Sequence, residues 1–116
     1  MGRRRVYIGR FAASLALVLT VMAGSAWGQD LVIRLTIKDH KFTPATIEAP
    51  AGQKFKLVVK NEDATPEEFE SHDLKREKVI PGGGEVTVML GPLKPGSYGF
   101  FGDFNPKTAQ GQLIVK

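Results

Sequence analysis

The chain has 116 residues, with 16 basic and 12 acidic side chains, two histidines and no cysteine. That length allows one folded domain at most, and the missing thiol excludes disulfides, thiolate catalysis, iron–sulfur clusters and sulfur-ligated type 1 copper. A net charge of +4 invites a nucleic-acid reading, but Arg3, Arg4, Arg5 and Arg10 all precede residue 28, leaving twelve bases against twelve acids beyond it. A neutral remainder has no polyanion-binding surface, so nucleic acid is rejected as a partner.

Met1 to Gly28 reads as a signal peptide. A basic head precedes an uncharged run from Phe11 to Ala26, and Ala26-Trp27-Gly28 offers small residues where a signal peptidase inspects the chain. The run is shorter than the ~20 residues of a spanning helix, which favours cleavage over a permanent anchor. Arg4-Arg5-Val6-Tyr7-Ile8 is also compatible with twin-arginine export. The expectation is a periplasmic protein with a signal over 1–28 and one domain over 29–116. It would meet a membrane only through its signal or a partner.

From Leu31 onward the pattern has period two. Leu31, Ile33, Leu35 and Ile37 alternate with Val32, Arg34, Thr36 and Lys38, predicting a strand with one apolar face. Phe42 to Ile47 follows across Pro44, and Ala51-Gly52 makes a turn. Phe55, Leu57 and Val59 mark the next strand, which breaks at Asn61 to Pro66. Ser71 to Lys78 has room for one helical turn. Val79-Ile80 runs into Pro81-Gly82-Gly83-Gly84, a turn before the strand Val86 to Leu90 and not a phosphate cradle. Lys94-Pro95-Gly96 turns the chain into Tyr98–Phe101, and Leu113-Ile114-Val115 closes the domain. Short strands between frequent turns predict an all-β Greek-key sandwich of six to eight strands.

Several segments resemble the cupredoxin family in the same order along the chain. They are D-H-K-F-T-P (Asp39 to Pro44), I-E-A-P-A-G-Q (Ile47 to Gln53), N-E-D (Asn61 to Asp63) and K-P-G-S-Y-G-F-F (Lys94 to Phe101). More narrowly, E-E-F-E-S (Glu67 to Ser71), L-K-R-E-K (Leu74 to Lys78), G-P-L-K-P-G (Gly91 to Gly96) and F-F-G-D-F (Phe100 to Phe104) are similar to EfeO-type domains. That resemblance implies a role in bacterial iron uptake across the cell envelope, beside an iron permease or a periplasmic iron-binding protein. Tyr98 to Val115 resembles a blue-copper ligand loop, with Gly102, Asn105 and Gln110 at the three ligand steps. The remaining ligand position falls on Glu67 or Glu68.

Glycine and carboxamides cannot replace the thiolate and imidazoles of a type 1 site, so blue-copper electron transfer is excluded. The residues that remain are rich in oxygen. Glu67, Glu68, Glu70 and Asp73 crowd one stretch with His72, and the implied fold brings Asp103 and Asn105 to the same end. Carboxylates with one imidazole suit iron or another hard or borderline cation better than Cu(I). The competing reading is a solvated acidic face paired with Lys75, Arg76 and Lys78. His40 shares parity with Phe42 and would point inward with it, as a hydrogen-bonded histidine or a ligand. Tyr98, Phe100, Phe101 and Phe104 read as packing residues.

Three functions follow: a periplasmic accessory that binds iron or copper for an iron-uptake system, a ferroxidase component, and a metal-free docking module. The candidate ligands for the first are Glu67, Glu68, Glu70, Asp103, Asn105, His40 and His72. None of these residues is arranged as a hydrolytic triad.

Overall fold

The computed structural model describes residues 31–116; the sequence read as a signal peptide, Met1 to Gly28, lies outside the described residues. The strands are β1 (Leu31–Lys38), β2 (Lys41–Thr43), β3 (Thr46–Ala49), β4 (Phe55–Asn61), β5 (Glu67–Ser71), β6 (Arg76–Ile80), β7 (Glu85–Leu90), β8 (Gly96–Gly102) and β9 (Gln110–Val115). One sheet has the order β2-β1-β4-β7 and the other β3-β9-β8-β5-β6. Two parallel pairs, β1 with β4 and β3 with β9, mark the crossings of a Greek-key sandwich.

Alternation fixes which side of each strand faces the core. Leu35 and Ile37 of β1, Phe55, Leu57 and Val59 of β4, and Val88 and Leu90 of β7 come from one sheet. Ile47, Phe69, Phe100, Leu113 and Val115 come from the other. Phe42 joins them: its ring meets Phe100 edge-on at 5.0 Å and Phe69 at 6.2 Å. With no disulfide available, this apolar layer and its aromatic contacts hold the sheets together.

The nine strands exceed the six to eight expected, and the excess has identifiable causes. Phe42 to Ile47 is not one strand. Pro44, which has no N–H to donate, divides it into β2 in the first sheet and β3 in the second. The helical turn allowed over Ser71 to Lys78 is absent as well. His72 to Lys75 forms a tight reversal between β5 and β6, with Lys75 at φ 56° and the Leu74 N–H donating to Ser71 Oγ. Four of the five β6 residues are exposed, so this edge strand carries no apolar alternation to read.

Asn61 ties down the end of β6 away from the His72–Lys75 turn. Its fully buried amide donates to the carbonyls of Thr65 at 2.9 Å, Ile80 at 3.1 Å and Pro81 at 3.3 Å. Its Oδ1 accepts the Asp63 N–H at 3.0 Å, so one side chain joins the β4–β5 loop to the end of β6. Asn61→Ala leaves those groups buried without partners and is expected to cost about 2–4 kcal/mol in urea unfolding. A loss below about 1 kcal/mol would show that water replaces the amide.

Candidate metal centre

The site is built on β5, where neighbouring residues face opposite sides of the sheet. Glu67, Phe69 and Ser71 point inward, while Glu68 and Glu70 share the outer face. The Glu-Glu pair therefore divides, and its two carboxylates enter different environments.

Glu67 is 1% exposed, and its side chain lies between β5 and the segment that follows β8. Oε1 accepts the N–H of Phe104 at 2.9 Å and of Glu68 at 3.0 Å, and Oε2 accepts the Asn105 side-chain amide at 2.7 Å. A carboxylate accepts hydrogen bonds and has none to offer, which matches these three donors. Gly102 has no room for a side chain. A Cβ there would stand 2.7 Å from Glu67 Cδ, 2.9 Å from Glu67 Oε1 and 2.7 Å from Ala109 Cβ. The segment also closes on itself, through Gly102 N–H to Ala109 O at 2.8 Å and Ala109 N–H to Asn105 O at 2.9 Å. Gln110 turns away, its amide donating to Pro106 O at 3.0 Å.

The outer face brings other acids together. Glu68, Glu70 and Asp103 each present a carboxylate oxygen within 4.8 Å of the other two. Antiparallel pairing sets Glu70 opposite Phe101 on β8 and opposite Glu77 on β6, and the Asp103 N–H donates to Glu68 O at 2.9 Å. Burial pushes the Glu68 carboxyl up to about 7, reinforced by hydrogen bonding with Glu70 and Glu77 and by their negative charge. Glu77 thus borders the cluster without being one of its three converging carboxylates. Its only signal was cross-strand register, invisible while β6 was not recognised as a strand.

The other candidates are placed as follows. His72 Nδ1 lies 3.7 Å from Glu70 Oε2 at the rim, with a 79% exposed side chain resting 5.3 Å from the Phe101 ring centre. Asp73 accepts the Gly99 N–H at 2.9 Å and lies outside the acidic group. His40 does not follow Phe42 inward. Asp39 and His40 form the β1–β2 turn with φ of 53° and 58°, which breaks the parity, and the imidazole sits 3.6 Å from Asp63 Oδ2. Asn105 and Glu67 meet each other and not the outer acids. Arg76 donates to the carbonyls of Leu74, Lys75 and Met89. Among the described residues it makes no ion pair with the cluster, and neither do Lys75 and Lys78. Of the four aromatics read as packing, Phe100 is core and Tyr98 packs against it, while Phe104 is exposed.

The strand order and this loop geometry coincide with a sequence match over residues 11–115 to the cupredoxin-like domain family. The chain belongs to that family. It is 52% identical over 85 residues to the uncharacterized protein RP394 of Rickettsia prowazekii, spanning 73% of this chain and 68% of that one. Auracyanin A, a "blue" copper protein of Chloroflexus aurantiacus, superposes with a TM-score of 0.65 at 15% identity, over 76% of this chain and all of its own. The metal-binding domain of the Cu(I)-exporting P-type ATPase CopA of Streptococcus pneumoniae D39 gives 0.66 at 17% identity, over 73% of this chain and 84% of that one. At such identities the likeness is one of fold.

The cupredoxin copper does not fit the corresponding pole of this protein. Glu67, Gly102, Asn105 and Gln110 offer it no sulfur or imidazole, and the Glu67 carboxylate fills the space beside Gly102. The outer acids are a different donor set in a different place.

The Glu68 shift has a stability consequence with a definite sign. Its folded value, about 7, lies above the ordinary 4.5, so its contribution is complete below about pH 4.5 and is lost as pH rises through about 7. Glu68→Gln, which cannot ionise, is expected to gain urea midpoint relative to the parent protein on going from pH 5 to pH 8. Parallel pH profiles for the two proteins would contradict the assignment.

Proposed function

We propose that this cupredoxin-fold protein is an exported iron-binding accessory of a bacterial iron-uptake system. It holds the ion at Glu68, Glu70 and Asp103 and hands it to an iron permease or a periplasmic iron-binding protein. The observation that carries the reading is the convergence of three carboxylate oxygens within 4.8 Å on the outer face. Acids kept this close repel one another, and a cation relieves that repulsion while displacing the proton that burial favours on Glu68. An all-oxygen set suits Fe(II), Fe(III) or Mn(II) in preference to Cu(I). Export is supported by the basic head and uncharged run at the start of the chain. The iron-uptake assignment is supported by the similarity of E-E-F-E-S, L-K-R-E-K and F-F-G-D-F to EfeO-type domains.

The test is anaerobic calorimetric titration of the purified protein with Fe(II), Mn(II) and Cu(I). Glu68→Gln with Glu70→Gln is expected to weaken Fe(II) binding by about 10–100-fold, the range that loss of metal-site groups produces. Below pH 7 the affinity should fall by about tenfold per pH unit as the ion competes with the Glu68 proton. Unchanged affinity in the double variant removes the iron site and leaves the metal-free docking module as the reading of this fold.

A further inference from the structure

We infer that Glu67 is an internal substitute for a metal ion: its carboxylate closes the ligand pole of this cupredoxin-like domain and clamps the 102–109 segment to β5. The inference concerns the inward face of β5 and does not rest on cation binding by the outer acids.

A metal at this pole would have to connect the start of β5 with the segment carrying Gly102 and Asn105. The Glu67 carboxylate makes that connection itself. It gathers the Glu68 N–H from its own strand and the Phe104 N–H and Asn105 amide from the other segment. A negatively charged acceptor with three N–H donors satisfies the polar groups that a closed pole would otherwise bury unpaired. No side-chain nitrogen or oxygen atom buried in the described fold lacks a hydrogen-bond partner. Space confirms the substitution. Gly102 can only be glycine while Glu67 and Ala109 hold their positions, because any Cβ would overlap both.

Glu67→Met tests the clamp while keeping roughly its size and removing both acceptor oxygens; Gln would not, because the Asn105 amide can turn its Oδ1 toward the new NH2. Hydrogen exchange at the Phe104 amide is expected to speed up roughly tenfold or more, while Leu57 and Val59 amides in β4 keep the parent rates. Asn105→Ala removes one donor at the rim and should produce a smaller increase at Phe104. In the Glu68→Gln/Glu70→Gln background it should leave any residual Fe(II), Mn(II) or Cu(I) binding unchanged, because the closed pole holds no ion. Parent-like Phe104 exchange in Glu67→Met overturns the clamp. Residual metal binding in the Glu68/Glu70 background that is lost on adding Asn105→Ala overturns the closed pole, whereas binding abolished by the Glu68/Glu70 substitutions alone leaves it standing.

Discussion

The arrangement depends on the buried carboxylate at the first position of β5. Glu67 fixes where the chain goes after β8, because its Oε1 takes the Phe104 N–H while its Oε2 holds the Asn105 amide. That path in turn carries Asp103 to the position beside Glu68, with the Asp103 N–H on the Glu68 carbonyl. The β5–β8 ladder thereby continues past Gly102, where regular pairing ends. One inward side chain sets the geometry of the outward ones. The link runs through backbone hydrogen bonds that permit little slack.

The two faces of β5 solve opposite electrostatic problems. On the inner face a single acid meets three N–H donors, and both of its oxygens are satisfied. On the outer face several acids meet with only His72 at their rim, 3.7 Å from Glu70, and the conflict appears as the upward shift of Glu68. Like charges directly opposite across a ladder, as with Glu70 and Glu77, are destabilising. The bases nearest in sequence do not relieve this, since Arg76 is occupied by backbone carbonyls. A proton on Glu68 relieves part of this conflict.

Much of the scaffold was legible from alternation. β1, β4 and β7 each show one apolar face, and the Pro and Gly residues between them mark the turns. β5 and β6 were not legible, for two different reasons. Buried Glu67 and Ser71 make the inner face of β5 polar, and β6 is an exposed edge strand in which only Ile80 is buried. The sequence also showed that acids crowd one end, without showing which of them meet. Applying the two-residue period to Glu67-Glu68 separates them at once, but only after β5 is known to be a strand. His40 failed in the opposite way: its parity with Phe42 was read across a turn whose positive φ angles reset the phase. Glu77 required a register, and registers are properties of pairs of strands.

Gly102 couples the inner face of β5 to the segment that follows β8. Viewed as sequence, glycine at a ligand position means only that a donor is missing. In the fold it is a requirement, because Glu67 and Ala109 already occupy the space. The change from a metal-centred pole to a carboxylate-centred one therefore involves at least two coupled positions, a long acid on β5 and no side chain at 102. Neither works alone: a side chain at 102 would collide with Glu67, and without Glu67 the Phe104 N–H and the Asn105 amide would lose their acceptor. A closed pole also keeps Asp103 in place whether or not an ion is bound. The outer carboxylates are thus held together by the fold itself.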